Sequence, residues 1–171
     1  KCPILYFDDL GDERGKLVVL EGEQVIPFEI KRVFYIYDSD GDVVRGQHAN
    51  RQSEFVLINV AGQSKVRITD GNEEYFVELA RPMMGVYIPR MIWKDMYDFS
   101  KDSVLLVLAS THYDGTEYIR DYEEYLREYA EYRNRKPEEF LEVLDELGTL
   151  AKGFQTFSDW SDHIVRYKRE L

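Results

Sequence analysis

The sequence predicts an all-β domain followed by a helical annex, on three observations. Between about residues 16 and 111, short runs rich in β-branched and aromatic residues recur at regular spacing, divided by turn signals. No run there alternates with a pattern long enough for a crossover helix, which removes the parallel βαβ architectures. After Tyr113 the apolar period changes to that of a helix. The expected division is a barrel over 1–113 and C-terminal helices over 114–171, packed on the barrel or on a partner.

In chain order, strands are expected at 17–20, 32–37, 54–60, 65–69, 75–79, 85–88, 93–99 and 104–109. Asp40-Gly41-Asp42, Ala61-Gly62-Gln63 and Asp70-Gly71-Asn72 each supply residues suited to a tight turn. Tyr118, Ile119, Tyr122, Leu126 and Tyr129 fall at helical spacing, predicting an amphipathic helix to about Asn134. Pro137 suits the first turn of a second helix with Phe140, Leu141, Val143, Leu144 and Leu147 on its apolar side and Gly148 as its stop. Ser158 would cap a third helix bearing Trp160, Ile164 and Tyr167.

Composition narrows the function. Thirty-three acidic against 22 basic residues give a net charge of −11, which argues against a nucleic-acid binder with its basic face. A small anionic ligand remains compatible, because a few arginines inside a pocket can set a local potential against the global one. Cys2 is the only cysteine, so no internal disulfide forms, as expected of a reducing compartment. No apolar run approaches the roughly 20 residues that span a bilayer. No cationic-then-apolar leader opens the sequence. The expectation is a cytoplasmic protein with no membrane contact.

The stretch that carries chemistry is Arg45-Gly46-Gln47-His48-Ala49-Asn50-Arg51-Gln52-Ser53-Glu54. A metal-binding cupin would show His-x-His, a short spacer and Glu, with a second motif ending in a third His. Alternation along a strand points His48 and Asn50 the same way, and counting on places Glu54 with them. Asn50 stands where the second His would be. In Pro89-Arg90-Met91-Ile92-Trp93-Lys94, Lys94 takes the place of the third. A protonated lysine repels a cation, and zinc or iron would need imidazole or carboxylate there. The expected metal content is none.

Several segments in register resemble the sugar-nucleotide 3,4-ketoisomerases: the run from Lys31 to Tyr37, Arg45 to Asn50, Gly85-Val86-Tyr87-Ile88-Pro89, Trp93 to Ser100, Val104 to Ser110, and Tyr118 to Tyr122. The likeness spans about residues 30–126. It implies a cupin double-stranded β-helix (a jelly roll) that works without cofactor and forms homodimers, partly by exchanging N-terminal strands. The implied substrate is a dTDP-linked 4-keto-6-deoxyglucose, converted to its 3-keto isomer on the way to deoxyamino sugars and surface polysaccharide. A non-catalytic nucleotide-sugar-binding cupin partnering a transferase or aminotransferase is the alternative.

Carried over by position, Arg32 and Arg45 look like diphosphate ligands, with Arg51 a third option, since guanidinium binds phosphate bidentately. His48 looks like one of two family histidines, and its pKa range suits a base. Tyr35 or Tyr37 is expected to offer a hydroxyl beside the sugar. Trp93 and Tyr97 either stack on the thymine or fill the barrel. Asn50 departs from the family's second histidine, and Trp93-Lys94-Asp95-Met96 departs from its Trp-His-Glu-Met. Three arrangements follow: His48 alone shuttles the proton, Lys94 has joined it, or isomerisation is lost with Lys94 paired to Glu54.

Overall fold

The computed structural model of the chain describes residues 2–133, so the helices expected at 137–147 and from 158 onward lie outside the described residues. Ten strands build two antiparallel sheets: β1 (Ile4–Tyr6), β2 (Arg32–Tyr37), β3 (Arg45–Asn50), β4 (Phe55–Ala61), β5 (Ser64–Thr69), β6 (Glu74–Leu79), β7 (Met84–Ile88), β8 (Trp93–Tyr97), β9 (Val104–Ala109) and β10 (Tyr118–Ile119). The first sheet has the order β1-β7-β4-β9-β2 and the second β10-β3-β8-β5-β6. This is the expected jelly roll. β1 pairs with β7 of the same chain, Leu5 opposite Gly85.

Alternation explains the core. Phe55 and Leu57 of β4, Val86 and Ile88 of β7, and Leu105, Val107 and Ala109 of β9 face Val66, Ile68, Leu79 and Met96 of the other sheet. The intervening residues Val56, Ile58 and Leu108 point outward, yet they are buried too. Phe7, Ile26 and Phe28, from the segment ahead of β2, cover them and form a second cluster. β4 is therefore apolar on both faces, which is why 55–58 reads as an unbroken run. The strand expected at 17–20 does not form. That segment makes only isolated bridges, Asp12 with Gly15 and Gly22 with Ile26, while Val18 and Leu20 pack onto the second cluster. Its apolar residues serve as a cover, not as a ladder.

The three expected turns keep their places between strands. Asp70 Oδ1 accepts from Asn72 N at 2.9 Å and Glu73 N at 2.8 Å, and Gly71 takes φ +89°, a conformation that glycine adopts without steric penalty. The C-terminal expectation is corrected at its start: Tyr118 and Ile119 pair with Asn50 and Ala49 as β10 instead of opening a helix. Asp121 then caps α1 (Tyr122–Tyr132), accepting from Glu124 N at 2.8 Å. The second sheet thus runs past residue 113. Two compact units divide at Tyr125/Leu126. Among the described residues no helix is long and apolar enough to cross a membrane.

Ile58→Ala tests the second cluster. Loss of about 2–5 kcal/mol in urea unfolding is expected for a side chain packed on both sides; a loss under about 1 kcal/mol would mean that the outer face is merely shaded.

Candidate functional site

The site begins with a bulge. β3 pairs with β8 in the register Arg45 to Met96, Gly46 to Asp95, and His48 to Lys94. One extra residue, Gln47 at φ +53°, is inserted after Gly46 at φ +83°. Without it Arg45 and His48, three apart, would face opposite sides. With it both share the face of Met96 and Lys94, which is the interior, since Met96 belongs to the core. Gly46 suits both its backbone angle and its space, because a Cβ there would lie 2.7 Å from the Lys94 carbonyl oxygen.

His48 Nδ1 donates to Gly46 O at 2.8 Å. A carbonyl can only accept, so this bond fixes the tautomer and leaves the Nε2 lone pair open. The ring packs against Tyr118, centroids 4.8 Å apart. Burial, helped by the nearby Lys94 charge, lowers its pKa to about 4. Opposite it Lys94 is buried on the inner face, donating from Nζ to Asn50 Oδ1 at 2.7 Å and lying 4.7 Å from the Phe55 ring centroid. Burial lowers the Lys94 pKa to about 7, against the opposing influence of Glu117 and Asp95.

Asn50 is a bridge. Its Nδ2 donates to Glu117 Oε1 at 3.2 Å. Glu117 is itself buried and accepts from Gln52 N at 3.0 Å, from Ser53 N at 2.9 Å and from the Ser53 hydroxyl. Arg32, paired with Ala109 on the inward register of β2, holds its guanidinium between the rings of Phe34 at 5.4 Å and Tyr113 at 5.6 Å. Its buried Nε and Nη2 have no hydrogen-bond partner among the described residues. Rings link the two ends of the site: Tyr113 lies 5.9 Å from Tyr118, and Tyr118 touches His48. Arg45 Nε donates to Ser39 Oγ at 3.1 Å.

The structure thus brings together His48, Asn50, Lys94, Arg32 and Arg45 on inward faces, and it relocates five other expected residues. Tyr35 and Tyr37 alternate with Arg32 and lie on the outer face of β2, 62% and 64% exposed. Trp93 and Tyr97 alternate with Lys94 in the same way. Trp93 packs on the outside of the second sheet, 4.9 Å from Tyr122 and 5.5 Å from Tyr125, and donates to Asp95 Oδ1 at 3.2 Å. Glu54 also faces outward, accepting from the Tyr87 hydroxyl at 3.2 Å, because Phe55 takes the inward place. The expected Lys94–Glu54 ion pair is therefore replaced by Lys94–Asn50. Arg51 is engaged with Thr116 O at 2.9 Å and Glu124 at 3.2 Å. Glu117, Tyr113 and Tyr118 enter the site without having been expected there. Asp114, which caps the 3-10 turn at Gly115–Glu117, was the one local signal for a structured segment there.

An amide, an ammonium and an outward carboxylate do not fit a metal ion. Among the described residues no three His, Cys, Asp or Glu side chains gather as a metal-binding group.

A jelly roll with an inward imidazole, and with two buried guanidinium nitrogens that lack hydrogen-bond partners among the described residues, is a cupin-type barrel whose polar groups suit a small anion. Residues 1–130 match the FdtA family profile described as WxcM-like, C-terminal, and the chain belongs to that family. It is 43% identical over 120 residues, 70% of this chain and 86% of the relative, to a TDP-4-oxo-6-deoxy-alpha-D-glucose-3,4-oxoisomerase of Aneurinibacillus thermoaerophilus. A 3,4-ketoisomerase from Helicobacter canadensis matches with a TM-score of 0.73 at 45% identity, over 75% of this chain and 96% of that one. A histidine-to-asparagine mutant of the 3,4-ketoisomerase QdtA from Thermoanaerobacterium thermosaccharolyticum, in complex with TDP-4-keto-6-deoxyglucose, matches with a TM-score of 0.74 at 42% identity, over 76% and 94%.

The site makes stability pH-dependent. The His48 pKa is depressed from its ordinary 6.5 to about 4, so its contribution is complete above pH 6.5 and is lost as pH falls toward 4. Unfolding free energy should drop over that window by an amount on the order of 1–3 kcal/mol, and His48→Gln should flatten the drop. Equal pH dependence in the two proteins would contradict a neutral buried imidazole.

Proposed function

We propose that this chain is a 3,4-ketoisomerase of a dTDP-linked 4-keto-6-deoxyglucose, serving deoxyamino-sugar and surface-polysaccharide synthesis. The observation that carries the reading is the His48 Nε2 lone pair, on the same interior as the orphaned Arg32 guanidinium. Moving a carbonyl from C4 to C3 passes through an enediol and needs a base for the C3 proton. A neutral imidazole meets that need. Arg32 and Arg45 take the diphosphate, and its negative charge raises the His48 pKa toward neutrality, where proton transfer is most effective. The sugar's overall oxidation state does not change, so no redox cofactor is called for. The relatives named for this isomerisation support the reading.

The remaining expectations are proposals of the same reading. The enzyme works in the cytoplasm as a homodimer. Val33, Tyr35 and Tyr37 form an exposed apolar row on β2, at the edge of its sheet, and a second copy is the proposed cover. Tyr35→Glu should then move the sedimentation coefficient toward that of a monomer; a wild type that sediments as a monomer at tens of micromolar would rule this out.

Proton NMR of the sugar ring should show the wild-type protein moving the carbonyl of dTDP-4-keto-6-deoxyglucose, with deuterium entering the ring in D2O. His48→Ala should lower the rate at least 100-fold, while Arg45→Ala should weaken calorimetric dTDP binding by about tenfold. Binding of dTDP with no carbonyl movement would instead mean a non-catalytic nucleotide-sugar carrier. Failure to bind any thymidine nucleotide would exclude both.

A further inference from the structure

A 3,4-carbonyl shift moves two protons, one from C3 to C4 and one from the C3 hydroxyl to the C4 oxygen. His48 offers a single lone pair, which serves the carbon-bound proton. Asn50 cannot serve the other, because its oxygen and its NH2 are both committed, to Lys94 and to Glu117, and an amide neither gives nor takes a proton under these conditions.

Lys94 is differently placed. It stands directly across the β3–β8 ladder from His48 and on the same inward face. Of its three N–H bonds Asn50 takes one, and the rest have no hydrogen-bond acceptor among the described residues. A buried ammonium held by a neutral amide, instead of a carboxylate, keeps donors available for a ligand.

We propose that Lys94 is a catalytic residue that carries the oxygen-bound proton, with Asn50 and Glu117 as its positioning residues. This inference rests on the isomerase reading. In the first step the C3–H bond breaks, His48 Nε2 takes the proton, and the bonding pair becomes the C3=C4 bond. The C4 carbonyl π pair meanwhile takes a proton from the Lys94 ammonium, giving a neutral enediol. In the second step the Lys94 amine takes the C3 hydroxyl proton, the freed O–H pair becomes the C3 carbonyl, and the C=C pair takes the His48 proton at C4. Both side chains end as they began. The groups facing Lys94 favour transfer near neutrality. Burial disfavours the ammonium, while Glu117, reached through Asn50, and Asp95 on its own strand favour it, which leaves Lys94 near pH 7 instead of its ordinary 10.5; the facing His48 is neutral at that pH.

The test is steady-state kinetics on the full-length protein against pH, with dTDP binding by calorimetry as the control for an intact site. Lys94→Met and the charge-keeping Lys94→Arg should each lower kcat about 100-fold, with dTDP affinity changed less than about threefold. In the wild type, kcat should fall as rising pH removes the Lys94 proton. Glu117→Gln should move that limb to lower pH and Asn50→Asp should move it to higher pH, shifts that a purely structural role would not produce. Wild-type turnover accompanied by undiminished kcat in Lys94→Met or Lys94→Arg would overturn the inference and leave the isomerase standing. So would a limb unmoved in both Glu117→Gln and Asn50→Asp. A wild type without carbonyl movement would overturn the isomerase and this inference together.

Discussion

Four donors converge on the buried side chain of Glu117: two backbone N–H groups of the loop after β3, the Ser53 hydroxyl and the Asn50 amide. The same residue uses its own carbonyl to hold Arg51 N at 3.0 Å, so the end of β3, the following loop and the entry to β10 are tied at one point. An acceptor-only group suits this place, since each donor would otherwise be buried without a partner at a cost of about 1–3 kcal/mol. The consequence for the site is directional. With Glu117 fixing the NH2 end of Asn50, the amide oxygen must face Lys94, and Lys94 must face the interior.

That interior runs against the charge of the whole chain. The molecule carries a net charge of −11, yet the cations acting on His48 are Lys94 and Arg120, opposed by Glu117, and a low-dielectric surrounding strengthens their field. Such a pocket couples binding to protonation. Burial, with the Lys94 charge, keeps His48 neutral, and burial alone brings Lys94 toward neutrality; on the proposed function a bound diphosphate would shift both the other way. On that reading, substrate would help to set the protonation state it needs.

How much of this was legible in sequence depended on whether strand alternation could be counted without interruption. His48 and Asn50 lie within one strand, and their shared face follows from parity. The count fails for Glu54, because residues 51–53 form a loop and alternation restarts at Phe55. For Tyr35, Tyr37, Trp93 and Tyr97 alternation already carried the answer. Each is an odd number of residues from Arg32 or Lys94, so in a regular strand none can share its face. The motif gave Arg45 its place beside His48, but only the bulge at Gly46-Gln47 turns it inward, and two successive left-handed residues, one of them Gln47, were not predictable from pattern. For Glu117 the Asp114 cap signalled a local turn, but not that the acid is buried. It stands more than 60 residues along the chain from the donors it satisfies, and nothing local separates a buried acid from a solvated one.

The amide at position 50 and the ammonium at position 94 are best understood as one paired change. An imidazole at 50 would place a second titratable nitrogen against Lys94, and two groups that each become cationic cannot both be charged at hydrogen-bond distance without strongly depressing one another. An amide removes that conflict, because it offers a permanent acceptor to Lys94 and a permanent donor to Glu117, whatever the pH. On the proposed mechanism Lys94 supplies the proton transfer that an amide at 50 cannot. Seen this way, loss of a histidine from the motif is no measure of lost activity; what matters is whether the group across the ladder can still give up its proton.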